Sequence, residues 1–222
     1  MEMALFGPLT RPGARPEQAD GDPDGARSTP ASLVLAELLR TCSPHLAAQL
    51  ARVGRMSEKL ARRLGLADSE AREIGRAGAL HDIGMAFLPE DLLDQAGPLS
   101  LREKELVDRH GLCGRELLQM AGGPAHALAA SVALEHHERW DGSGSPSGLA
   151  GEEICLAARI VAVCAGYDGL RHPRWGRAAL DHDRALALLL HGGEPGRATA
   201  FDPAVVAAFV RHGPEFQGVA EA

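Results

Sequence analysis

Apolar residues recur at helical spacing along most of the chain, and most of these runs open or close on a local signal. Leu33, Leu35, Leu38 and Leu39 follow Thr29-Pro30, a cap with proline at the first helical position. Ser43-Pro44 repeats that device and predicts a longer helix to Leu64, closed by Gly65. Asp68 is the expected cap of the next helix, which carries Glu70 in its first turn and runs towards His81-Asp82. A short helix is expected from Pro89 to Asp94, and Ser100-Leu101-Arg102-Glu103 reads as a capping box leading the segment that carries His110. Pro124 opens a helix ending in His136-His137, and the Ala-rich run from Glu152 to about Leu170 is apolar on most sides, as a buried helix is. Asp181 and Asp202-Pro203 cap two more, to about Leu190 and Val210. No segment alternates as a strand does and no internal repeat stands out, so the predicted fold is all-α.

Composition adds boundaries to that picture. Residues 1–28 are rich in Pro, Gly, Asp and Arg without apolar periodicity, and read as a disordered lead-in; 29–212 forms the domain and 213–222 a C-terminal tail. Hydrophobic residues make up 45% of the chain but aromatics only 4%, which leaves a core of Leu, Ala and Val suited to packed helices. No apolar run approaches bilayer length and no signal segment opens the chain, so the expectation is a cytoplasmic protein without membrane contact. A net charge of -7 argues against broad nucleic-acid binding, and an anionic substrate would need a local basic patch. Cys42, Cys113, Cys155 and Cys164 show no C-x-x-C spacing and read as small buried hydrophobes.

Candidate chemistry centres on Leu134 to Pro146, where His136 and His137 end a helix and a Gly/Ser loop with Trp140 and Asp141 follows. Adjacent helical residues diverge by about 100°, so both imidazoles serve one site only where the helix ends. His81-Asp82 forms a second pair at a helix end, and His110 lies between the two pairs. Imidazole with carboxylate suits Fe, Mn or Zn, and a carboxylate such as Asp82 can bridge two ions.

The ordered set resembles the HD-GYP family, the cyclic di-GMP phosphodiesterase branch of the HD metal-dependent phosphohydrolases. The resemblance runs from about Ser43 to Val210 through His81-Asp82-Ile83-Gly84, His110 with Gly114, His136-His137-Glu138, Trp140-Asp141-Gly142-Ser143-Gly144, Tyr167-Asp168 and Phe201-Asp202-Pro203. It implies an HD-type helical bundle with additional C-terminal helices. It also implies one or two divalent ions, Fe or Mn ahead of Zn, held by His81, Asp82, His110, His136 and His137, with Asp82 also catalytic. Cyclic di-GMP or a related phosphoester is the implied substrate, and a diguanylate cyclase or other signalling protein the implied partner, docking near Gly144.

Departures from the family pattern point to reduced activity. Gln49 stands where the family has a ligand histidine, and Ala165 where it has a late aspartate. His45, one turn before Gln49, and Asp168 are the candidate replacements. Met85 takes the place of a phosphate-facing lysine, and Ser145 that of a tyrosine on which a guanine could stack. Arg174 and Arg177 match two phosphate-facing cations, and Trp140, Asp141 and Ser145 complete the expected substrate contacts. A catalytically inactive cyclic-dinucleotide-binding or protein-interaction module is the alternative, and an enzyme of a different, smaller substrate is a third.

Overall fold

The computed structural model describes residues 43–220 except 94, 96, 174–176 and 192–198, and at 90, 124 and 125 the backbone alone. The lead-in and the helix expected behind Thr29-Pro30 lie outside the described residues. Everything else is helix and connection: among the described residues there is no sheet, and an isolated bridge pairs Asp141 with Ala150.

The first helix, α1 (Pro44–Arg63), begins where Ser43 accepts a hydrogen bond from Leu46 N and ends before Gly65 at φ 88. Leu46, Leu50, Val53, Met56 and Leu60 recur every three or four residues and are buried together on one face. α2 (Asp68–Gly78) starts one residue earlier than expected: Ala67, not Asp68, is the cap, and its N–H donates to Glu70. The chain then turns through His81-Asp82 into a 3-10 segment, Ile83–Phe87, and a single turn, α3 (Glu90–Leu93).

Ser100 caps α4 (Leu101–Asp108) with the predicted reciprocal bonds to Glu103. The helix breaks at Arg109, so that α5 (His110–Ala121) starts on His110 itself. α6 (Pro124–Glu135) stops directly before the paired histidines. After the loop and a 3-10 turn at Gly151–Glu153 comes α7 (Leu156–Arg171), shorter at its start than the sequence suggests and buried along most of its length. α8 (His182–Leu190) and α9 (Pro203–Arg211) follow their aspartate caps.

The segment expected to be a C-terminal tail is instead a helix over most of its length, α10 (Gly213–Ala220). Phe216 is fully buried and stacks on Phe209 of α9 with ring centroids 4.1 Å apart. Ala220 is buried with it, and Glu215 pairs with Arg63 of α1, so the two-turn helix is docked on α1 as well as on α9.

α1 packs against α2 and α7, α2 against α6, and α5 against α6 and the 3-10 segment after Asp82. The paired histidines therefore leave α6 beside the turn that carries His81-Asp82.

Candidate metal centre

Two close backbone approaches set the centre. A Cβ on Gly84 would overlap the carbonyl of His110, so only glycine lets the segment after Asp82 lie directly on α5. A Cβ on Gly144 would likewise overlap the Glu138-Arg139 backbone, so glycine folds the loop back beneath the paired histidines. Glu138 is buried, and its carboxylate accepts from Ser147 N at 2.6 Å and Leu149 N at 3.1 Å, which fixes the loop's return.

His81, Asp82, His110 and His136 are all buried, and His137 is exposed at the mouth. The two oxygens of Asp82 face different neighbours. Oδ1 lies 3.0 Å from His110 Nε2 and 3.2 Å from His136 Nε2, whereas Oδ2 lies 3.3 Å from His81 Nε2. Gln49 Nε2 donates to Oδ2 at 3.4 Å. His137 Nε2 stands 3.2 Å from His110 Nε2, which is 3.3 Å from His136 Nε2.

The backbone decides the tautomers. Nδ1 of His81 donates to Gly78 O at 2.7 Å, Nδ1 of His110 to Val107 O, and Nδ1 of His136 to Ala133 O at 3.0 Å. A carbonyl only accepts, so each Nδ1 carries a proton and Nε2 is the atom turned inward, with a free lone pair whenever the ring is neutral. Burial lowers the pKa of His136, and the adjacent His136 holds His137 well below the ordinary range, so these two rings stay neutral. Burial would raise the Asp82 carboxyl, but the neighbouring His81 and His110 outweigh it and the group stays well below the usual carboxylate range.

With the rings neutral, lone pairs converge on one another and on an anionic carboxylate whose buried Oδ1 has no hydrogen-bond partner. That arrangement is repulsive until a cation enters it. Donor atoms of Asp82, His110, His136 and His137 all lie within 4.8 Å of one another. Ligands bonded to one ion at about 2.1 Å stand roughly 3.0–3.4 Å apart, and the Asp82–His110, Asp82–His136, His110–His136 and His110–His137 contacts fall in that range. The residues therefore fit a divalent ion.

Of the remaining expected site residues, the structure brings some to the centre and not others. Gln49 and Ala165 line the same cavity, of about 210 Å³, as His81 and Asp82. His45 is exposed on the first turn of α1 and neither joins the cluster nor lines this cavity. Asp168 is spent elsewhere: Arg52 holds both of its oxygens, at 2.7 and 3.1 Å.

The loop residues expected to contact substrate are engaged within the loop and with its neighbours. Trp140 lies under the guanidinium of Arg159 at 5.5 Å and bonds through its backbone to Ala200. Asp141 accepts from Ser143 N and Thr199 Oγ1, and Ser145 donates to the carbonyl of His137. All three build the loop and none lines the cavity. Arg177 is exposed and donates to the carbonyls of Leu170 and His172, and Arg174 lies outside the described residues. Met85 is buried in the core. Burial pushes the thiols of Cys155 and Cys164 up to about 12, which leaves no nucleophile there.

A family model for the HD domain matches residues 33–205. The chain belongs to the HD domain family, in its HD-GYP branch. It is 41% identical over 162 residues to the cyclic di-GMP phosphodiesterase response regulator RpfG of Xanthomonas campestris, covering 73% of this chain and 42% of that protein. With the 3'3'-cGAMP-specific phosphodiesterase 2 of Vibrio cholerae it shares 33% identity over 192 residues, 86% of this chain and 36% of the other. The HD-GYP chain therefore spans less than half the length of these curated relatives. Among solved structures, the phosphodiesterase PgpH HD domain of L. monocytogenes superposes with a TM-score of 0.58 at 13% identity, covering 86% of this chain and 99% of that one, which shows the shared fold.

Proposed function

We propose that this HD-GYP chain is a metal-dependent phosphodiesterase domain that opens a cyclic dinucleotide of the cyclic di-GMP class, and that it works with a single divalent ion, Fe or Mn. The convergence of His110 and His136 Nε2 on Asp82 Oδ1, with His137 Nε2 beside that of His110, carries the reading. Asp82, His110, His136 and His137 would hold the ion. Beyond Oδ2 the cavity offers His81 but only the neutral amide of Gln49 and the methyl of Ala165, so a second ion lacks ligands and charge compensation.

A divalent ion in this position supplies Lewis acidity towards a phosphoryl oxygen and lowers the pKa of water beside it. The chain's own residues do the rest. Backbone carbonyls orient His81, His110 and His136 so that their Nε2 atoms face the cavity, and Asp82 brings the anionic charge that balances a cation. Gln49 donates to Asp82 Oδ2 and, with His81, restrains the carboxylate on that side. Hydrolysis adds water across one P–O bond and gives a linear dinucleotide.

Purified chain loaded with Mn(II) should convert cyclic di-GMP to its linear form, and Asp82→Asn should lower the rate by about a hundredfold or more. Equal rates for the variant and the wild type would refute the assignment. A second reading, a cyclic-dinucleotide-binding module without turnover, is favoured by Gln49 and Ala165 on the cavity wall; saturable binding of cyclic di-GMP with no linear product would establish it.

A further inference from the structure

Arg139 lies two residues beyond the paired histidines and has no counterpart among the roles assigned above. Its Nη1 is buried with no hydrogen-bond partner, and its side chain lines the cavity beside His81, Asp82, His136 and His137. The nearest carboxylates in sequence are committed: Glu138 to Ser147 N and Leu149 N, Asp141 to Ser143 N and Thr199 Oγ1. Gln49 and Ala165 bring no charge to the same wall. A guanidinium cannot shed its proton to relieve such a position, and its planar fork matches phosphate oxygens.

We propose that Arg139 binds a non-bridging oxygen of the substrate phosphate, in the half of the centre where Gln49 and Ala165 leave a second ion without ligands. The phosphodiesterase reading supplies the identity of that phosphate; the anion site itself rests on the cavity and the buried, unpartnered Nη1 of Arg139. Arg139 then delivers fixed positive charge where Met85 contributes none. Substrate would enter past exposed His137 with one phosphate between the cluster and the guanidinium.

The test uses the Mn(II)-loaded full chain and inorganic phosphate as the probe, followed by calorimetry, for wild type, Arg139→Gln and Arg139→Lys. Loss of one charge-assisted bond should weaken phosphate binding about tenfold or more in Arg139→Gln, and lysine should restore most of it. Manganese per chain should be equal in all three proteins. Phosphate affinity within about twofold of wild type in Arg139→Gln would overturn the proposal, since the lost bond is expected to cost more. So would wild type without saturable phosphate binding, or manganese lost from Arg139→Gln, which would make the side chain a support of the centre. Arg139-dependent phosphate binding without turnover of cyclic di-GMP would uphold the anion site and defeat the phosphodiesterase reading.

Discussion

At the scale of single residues, the centre is defined by which nitrogen carries a proton. The sequence shows five candidate ligands in order but not their tautomers, because these depend on carbonyls of Gly78, Val107 and Ala133 that only the folded backbone presents. Gln49 and Ala165 were legible as departures because they sit in register with a family pattern, and the structure sets both on the cavity wall. Arg139 was not legible, since the burial of one guanidinium nitrogen is a tertiary fact. Asp168 misleads for the opposite reason: an aspartate near a lost ligand reads as a rescue until its clamp with Arg52 is seen.

That clamp yields a pH prediction. His172 donates to the Asp168 backbone carbonyl and faces its carboxylate at 3.4 Å, and the Asp168 hydrogen bond raises the pKa of His172. Burial opposes ionisation of Asp168, but His172 and Arg52 prevail and lower its pKa. A raised histidine stabilises fully below its unfolded value of about 6.5 and loses that contribution as pH rises through the folded value. A lowered aspartate stabilises above about 3.9 and loses it as pH falls through the folded value. Thermal melts should show the clamp at full strength from about pH 4 to 6.5, with a decline on the alkaline side that His172→Gln removes. An unchanged alkaline decline in the variant would assign it to other groups.

At the scale of elements, helix starts were readable wherever the signal is local. Ser43, Ser100, Asp181 and Asp202 each accept from a backbone N–H of the following turn, as their positions predict. Breaks set by packing were not readable. Arg109 interrupts α4 and α5 without Pro or Gly, and α10 has little local signal beyond the apolar Phe216 that docks it. The junction of most consequence is Gly84 against α5. Gly84→Ala forces a Cβ into the His110 carbonyl, so that α5 must move and His110 Nε2 with it. The variant should lose stability by about 1–3 kcal/mol, as overpacking does, together with most of its metal. Chemical denaturation and metal analysis of the same sample check both; retained metal would mean that α5 tolerates the shift.

At the scale of the whole molecule, helices that pack largely through small and branched aliphatic residues bring three separate helix termini to one point. The all-α class followed from periodicity alone, and the HD-GYP family from the order of His-Asp, His and His-His. What neither could supply is how the centre divides around Asp82: one oxygen among His110 and His136, with His137 completing the cluster, the other facing His81, Gln49 and a hollow beside Ala165. From that division comes a definite stoichiometry. The direct measurement is metal per chain after Mn(II) or Fe(II) loading and removal of excess, for wild type and for Gln49→His with Ala165→Asp. About one ion per wild-type chain and about two in the double variant are predicted, as ligand count dictates. Wild type with less than about a tenth of an ion, or with two already, would contradict the single four-ligand centre.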